Sequence, residues 1–270
     1  MSVKQDPDGR RSVQIETVVP GTPEQVWHAI ASGPGISAWF VPTTLEGKAG
    51  GEMSMDYGGG MLATAKITEW RPPFRFAADA PGWAPGMPSM ATEWSVQALD
   101  GGTCKVRVVH SLFASTDDWD SQLTGTESGW PSYFRVLRRY LERFAGQASA
   151  QVVTNAMSGE PVAAVWARLA AALGTGEPRA GQRFTLTVAP GHTLAGVIES
   201  IDPQGAGHSV FAHLDKPRAG TLFLGAFACG GAMASLQAYL YGGDAAHVAD
   251  GLRPPVTSWL AGLFPAPAAK

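Results

Sequence analysis

Large apolar side chains recur at offsets of three and four residues between about Ser128 and Phe144, which predicts a long amphipathic α-helix. Its apolar stripe consists of Trp130, Tyr133, Phe134, Leu137, Tyr140, Leu141 and Phe144. Ser128 is a suitable residue to cap the first turn, and Gly146 follows the last one. A stripe this aromatic has to be covered, so we expect a wide, curved layer of structure to wrap around the helix.

The hundred or so residues before this helix show the alternation of apolar and polar positions that is typical of β-strands. Thr22 to Gln25 has the composition of a capping box, which predicts a short helix that buries Val26, Trp27 and Ile30. Alternating segments then predict strands over 52–57, 61–70, 92–99 and 104–112. The order of strand, helices, antiparallel strands and long helix indicates an α+β fold.

Three short motifs in this part of the chain resemble a known family. Three motifs are similar to the START-like (SRPBCC) superfamily: the helix start Thr22-Pro-Glu-Gln-Val-Trp27, the pair Trp39-Phe40, and Gly129-Trp130, which opens the predicted final helix. Within it, they most resemble the group named after the activator of the heat-shock protein 90 ATPase. The resemblance covers about Ser12 to Gly146 and implies a helix-grip fold, in which a curved antiparallel sheet surrounds a long C-terminal helix.

The residues after Gln147 repeat features of the first part in the same order, which favours a tandem duplication. Segment 165–170 matches 26–31, and segment 236–240 matches 137–141, although two unrelated α+β domains could share matches this short. We therefore expect two domains, 1–147 with an aromatic-lined pocket and 148–270 as a shorter, degenerate START-like copy. An additional apolar helix is expected over 256–264.

One segment of the second half carries no charged side chain. Residues 219–243 are long enough to cross a bilayer, but glycines divide them into a strand-like piece, 221–229, and the helix-like piece 232–241. We expect these pieces to be buried inside the protein, and no membrane partner is predicted.

Composition and charge narrow the function classes. The chain has 270 residues, a net charge of −3 and a pI near 6.1, so nothing in its charge balance indicates a nucleic-acid partner. Cys104 and Cys229 lie far apart, and the first residues are polar, so we expect no disulfide framework and a cytoplasmic location. No residue spacing fits a metal site or a cofactor fingerprint, and the expected assembly is a monomer or homodimer.

A sheet curled around a helix leaves a cavity unless large side chains fill it, and such a cavity suits an apolar ligand. The aromatic and methionine positions predicted to face inward, together with one tryptophan in a possible lid over 82–88, are the candidate ligand-binding residues. They are Trp39, Phe40, Met53, Met55, Tyr57, Phe76, Trp83, Trp94, His110, Trp130, Tyr133 and Phe134. The alternative is that these side chains only pack against one another as a core.

His110 is the best candidate for acid–base chemistry, with Tyr57 as a possible helper, because a buried imidazole can be tuned across neutral pH. The competing interpretation is a core histidine that is hydrogen-bonded to Tyr57 or to a backbone group. His28 points away from the apolar face of its helix and should be exposed.

Three functions follow from these expectations. The leading hypothesis is the binding of a small hydrophobic or aromatic molecule between the sheet and the helix that contains Trp130. The resemblance also implies a chaperone-modulating interaction domain, with a chaperone as partner, or an enzyme of the aromatic-cyclase kind. The superfamily includes carriers, cyclases and chaperone activators, so the fold alone does not choose among them.

Overall fold

The computed structural model describes residues 3–5, 9–57, 61–82, 88–113, 120–204, 207–228 and 231–265. The chain forms two compact units, Met1–Gly146 and Gln147–Lys270. Among the residues described, no helix is both long enough and apolar enough to span a membrane.

The first unit is a single antiparallel sheet with three helices. Its elements are β1 (Lys4–Gln5), β2 (Arg10–Pro20), α1 (Pro23–Ala31), α2 (Gly33–Ser37), β3 (Thr43–Leu45), β4 (Glu52–Asp56), β5 (Leu62–Arg71), β6 (Arg75–Ala80), β7 (Met90–Leu99), β8 (Thr103–Phe113) and α3 (Asp120–Arg143). The strand order is β1-β2-β8-β7-β6-β5-β4-β3. This arrangement confirms the predicted α+β, helix-grip fold.

The start of α1 is fixed by the capping box that the sequence predicts. The backbone N–H of Thr22 donates to the Gln25 side chain at 2.9 Å, and the Gln25 N–H donates to the Thr22 hydroxyl at 3.3 Å. Val26 and Ile30 are buried and His28 is exposed, so this helix presents the expected face to the interior.

The long helix α3 begins at Asp120, eight residues before the predicted start at Ser128. The Asp120 carboxylate accepts hydrogen bonds from the Arg11 guanidinium of β2, which lowers the pKa of this carboxyl group. The added residues are mostly polar, and only the buried Leu123 signals an inward face, so periodicity could not reveal them. Pro131 lies inside the helix.

The apolar stripe of α3 is buried as expected. Trp130 is 6% exposed and Leu137 is fully buried, and Phe134, Tyr140 and Phe144 are buried with them. Each such side chain contributes about 1.5–3 kcal/mol by leaving water, so this stripe is a principal source of stability for the first unit.

The second unit has a similar topology with fewer elements. They are β9 (Ser149–Ser158), α4 (Val162–Ala172), β10 (Arg183–Ala189), β11 (His192–Gln204), β12 (Gly207–Lys216), β13 (Gly220–Ala228), β14 (Ala232–Tyr241) and α5 (Ala245–Leu263). The strand order is β10-β11-β12-β13-β14-β9. A strand that precedes the first helix pairs with the last strand in both units, as β2 does with β8 and β9 does with β14, which supports the duplication.

Two expectations for the second unit are wrong. The predicted helix over 232–241 is strand β14, so segment 236–240 corresponds to a strand and not to the long helix of the first unit. The apolar helix expected over 256–264 is not additional: it is the end of α5, which starts at Ala245 and is the counterpart of α3. Almost every residue of β14 is buried, and a strand buried on both faces lacks the alternation that distinguishes strands from helices.

Close packing between α1 and α2 leads to a stability prediction at Gly35. A Cβ atom there would overlap the carbonyl oxygen of His28 and lie 2.9 Å from the Cα atom of Ala29. Gly35→Ala should therefore lower the free energy of unfolding of the first unit by about 1–3 kcal/mol, the usual cost of overpacking. Urea denaturation followed by tryptophan fluorescence measures it, because seven of the nine tryptophans precede Gln147.

The matched control is Gly129→Ala within α3, where an added Cβ meets no atom within 4 Å. This substitution should raise the free energy of unfolding by about 0.5–1 kcal/mol through helix propensity. Equal stability of the Gly35→Ala variant and the wild-type protein would contradict the packing argument.

Candidate functional site

A cavity of about 710 Å³ lies in the first unit, between the inner face of the sheet and the helices. Its walls come from α1, α2, α3 and strands β4 to β8, together with residues that flank them. Nine of the predicted ligand-binding residues line it: Trp39, Phe40, Met53, Met55, Tyr57, Phe76, Trp94, His110 and Trp130.

The other three predicted residues have different positions. Tyr133 and Phe134 are not part of the cavity wall and pack behind it, with ring centroids 4.6 Å from Phe40 and 5.3 Å from Trp130, respectively. Trp83 lies outside the described residues.

The space of the cavity comes from small residues that are not among the predicted ligand-binding residues. Ala63 and Ala65 on β5, and Ala78 and Ala80 on β6, line the sheet side. Ala63 pairs with Met55 across the strands, and Ala78 pairs with Thr92. Alanine at alternate inward positions of β5 and β6 was the available signal, because small side chains on this part of the sheet leave space opposite the aromatic helix.

The helix side of the cavity is an aromatic cluster centred on Trp130. Its ring stacks on Phe40 at a centroid distance of 5.2 Å and meets Trp94 edge-on at 5.1 Å. The His110 ring lies nearly parallel to it, with its centroid 5.6 Å away. Trp39 lies next to it, and the Trp39 indole N–H donates to the carbonyl of Ala29 at 2.9 Å. These contacts hold the rings in fixed orientations beside the cavity.

His110 takes part in a hydrogen-bond chain whose direction is fixed. The indole N–H of Trp130 donates to Nε2 of His110 at 2.8 Å, and Nδ1 of His110 lies 3.0 Å from the Thr92 hydroxyl. Because an indole can only donate, Nε2 must be the unprotonated nitrogen. The neutral ring therefore carries its proton on Nδ1 and donates it to Thr92.

This network corrects the predicted partner of His110, which is not Tyr57. His110 is 5% exposed, and burial lowers the pKa of its imidazole from 6.5 to about 4. Near neutral pH the ring is uncharged, and the hydrogen bond from Trp130 occupies its basic nitrogen. His110 is thus a core histidine with two side-chain partners.

Tyr57 is at the edge of the cavity. The residue is 37% exposed, yet its hydroxyl points toward the Met55 sulfur at 3.8 Å. The pKa of the Tyr57 phenol is raised to about 12, mainly because burial removes hydration from the charged form and also because Tyr133 lies nearby. The phenol therefore stays protonated under physiological conditions and is a weak candidate for a base.

The cavity wall is uncharged. Of the described residues that line it, none carries a formal charge at neutral pH. Within the same described residues, no group of three or more His, Cys, Asp or Glu side chains could hold a metal ion. What the wall offers is apolar surface with few polar atoms.

The lowered pKa of His110 predicts a pH dependence of stability. The unfolded chain protonates this imidazole near its ordinary pKa of 6.5, and the folded protein does so only near 4, so between these values the unfolded state binds more protons. Stability should fall as the pH drops from 6.5 to 4, by about 3 kcal/mol in total.

The comparison variant is His110→Gln, whose amide can accept from Trp130 and donate to Thr92 but does not titrate. Chemical denaturation across this pH range should show a shallower decline for His110→Gln than for the wild type. His28→Gln at the exposed position controls for histidine loss in general. Parallel curves for wild type and His110→Gln would contradict the assignment.

Residues 20–142 match the sequence model of the family described as Activator of Hsp90 ATPase homolog 1-like protein. The match runs from the end of β2 to the last turn of α3. No curated protein matches the chain.

Solved structures that are similar to the chain match either nearly all of it or about half of it. The di-domain ARO/CYC BexL from the BE-7585A biosynthetic pathway is similar over 95% of this chain and 99% of its own, with 14% identity and a TM-score of 0.45. DynU16 from the dynemicin biosynthetic locus is similar over 94% and 97%, with 16% identity and a TM-score of 0.44. The Aha1 dimer from Colwellia psychrerythraea covers 50% of this chain and 98% of its own, with 18% identity and a TM-score of 0.41.

The family match lies on the segment that carries the Thr22 capping box, the Trp39-Phe40 pair and Trp130, and it confirms the resemblance inferred from those residues. Over these residues, the first unit of the chain is therefore similar to the Activator of Hsp90 ATPase homolog 1-like family.

Proposed function

We propose that the first unit binds a small, uncharged hydrophobic or aromatic molecule in the cavity between its sheet and α3. The observation that carries this proposal is the cavity itself, with its volume of about 710 Å³ and its wall of aromatic, methionine and alanine side chains. Ligand sites in proteins are typically about 300–1,000 Å³ and are mostly apolar with a few polar groups.

The chemistry of the wall restricts the ligand. A charged group that entered the cavity would lose its hydration without meeting an opposite charge, which is costly. Aromatic rings such as those of Trp94 and Trp130 offer faces and edges to a flat ligand. Met53, Met55 and Met90 can adapt their flexible side chains to its outline.

Catalysis of the aromatic-cyclase kind is less well supported. A general base needs a free lone pair and a pKa near the working pH. The Nε2 lone pair of His110 already accepts the Trp130 N–H, and its pKa lies near 4. The Tyr57 phenol, with a pKa of about 12, does not supply a base in its place.

A chaperone-modulating role is the second candidate, and the description of the matched family favours it. An adaptor for a chaperone would use its surface and would not need an internal cavity. The two candidates therefore differ in what filling the cavity should do.

The main test is direct binding of a neutral fluorescent probe, N-phenyl-1-naphthylamine, followed by its emission. The wild-type chain should bind it, and a naphthylamine probe that carries a sulfonate should bind at least tenfold more weakly, because the wall supplies no counter-charge. Ala80→Phe should weaken binding of the neutral probe at least tenfold, since it places a ring in the cavity.

The matched control is Ala77→Phe on the same strand, because odd and even positions of β6 face opposite sides of the sheet. It should leave the affinity for the neutral probe within about twofold of the wild type. Absence of probe binding to the wild type would refute the proposal. The adaptor role would be supported instead if the wild-type chain bound no probe, while both the wild type and Ala80→Phe captured a chaperone from host extract.

A further inference from the structure

The hydrogen-bond chain through His110 ends at a hydroxyl group on the cavity wall. It runs from the Trp130 N–H to Nε2 of His110, and from Nδ1–H of His110 to Oγ1 of Thr92. The direction cannot reverse while Trp130 is present, because indole nitrogen has no acceptor lone pair. Thr92 is therefore the acceptor in its bond with His110.

Thr92 still has its own hydroxyl proton to donate. No other bond of this side chain is formed with the described residues, and Thr92 lines the cavity. Its two cross-strand neighbours are His110 on β8 and Ala78 on β6. Both neighbours also line the cavity, and Ala78 places only a methyl group beside Thr92.

Accepting a hydrogen bond polarises a hydroxyl group and makes it a better donor. The Trp130–His110–Thr92 chain thus presents one oriented donor within an otherwise apolar wall. A ligand that places an oxygen acceptor at this point gains a hydrogen bond, whereas a pure hydrocarbon leaves the Thr92 proton without a partner.

We infer that the Thr92 hydroxyl selects ligands by donating a hydrogen bond to a carbonyl-type oxygen, so that the cavity prefers uncharged apolar molecules that carry one. This inference rests on the proposed function and names the ligand class of the same site. Thr92 acts by contact with the ligand, and His110 and Trp130 act by fixing the direction of its hydrogen bond.

The test compares two probes of nearly the same shape. The ketone 2-acetylnaphthalene carries a C=O group at the position where the alkene 2-isopropenylnaphthalene carries a C=CH₂ group. Calorimetric titration should show that the wild-type chain binds the ketone about three- to tenfold more tightly than the alkene, after correction for their different transfer from water. Thr92→Val, which has the shape of threonine without the hydroxyl, should remove this preference and leave the affinity for the alkene within about twofold.

Two further variants separate hydrogen bonding from shape. Thr92→Ser keeps the hydroxyl and should retain the preference for the ketone. Thr64→Val changes the other threonine of the cavity wall and should also retain it, because the Trp130–His110 chain does not lead to Thr64.

The outcomes distinguish this inference from the function on which it rests. If both probes bind and their affinity ratio is the same in the wild type and Thr92→Val, the inference is wrong and the proposed function stands. A preference that Thr92→Ser fails to preserve would also overturn it. If neither probe binds the wild-type chain, both the inference and the proposed function fail.

Discussion

The buried indole of Trp130 sets the constraint on which the rest of the first unit depends. Its ring is 6% exposed, and an N–H group so far from water needs an acceptor inside the protein. His110 supplies that acceptor from β8, and the bond joins the long helix to the centre of the sheet. Without it, both the indole N–H group and the Nε2 atom of His110 would be unpaired in the interior.

The cavity exists because side-chain volume is distributed unequally around this bond. Trp39, Phe40 and Trp130 concentrate bulk on the helix side, whereas β5 and β6 contribute four alanine side chains to the wall. A curved sheet cannot close onto the helix when rigid rings hold the two apart, so alanine leaves space that no neighbour fills. The same rings that stabilise the fold therefore also form much of the wall of the cavity.

The two units show how one topology can carry different interiors. Both have a helix after the first strand of the pair, a run of antiparallel strands and a long final helix. The second unit packs its sheet against α4 and α5 through leucine, valine, alanine and a few phenylalanine side chains, without the tryptophan cluster of the first. Branched aliphatic residues can interdigitate closely, which favours a filled core over an open one.

Local patterns in the amino-acid sequence predict the features that repeat over short distances. The stripe of α3, the capping box at Thr22 and the alternation of β4 to β8 predict the α+β fold and nine of the residues that line the cavity. Each depends only on neighbours within a few positions. The same local logic misplaced the start of α3 and took β14 for a helix, where polar residues or two-sided burial remove the periodicity.

The chemistry of the site depends on contacts that form only when the whole unit folds. Thr92 and His110 become partners because β7 and β8 pair in one particular register, and Trp130 reaches His110 because α3 crosses the sheet at that strand. These residues are 18 and 20 positions apart in sequence. Strand register and helix placement result from packing of the whole unit, and no pattern of nearby residues specifies which polar atoms they bring within hydrogen-bonding distance.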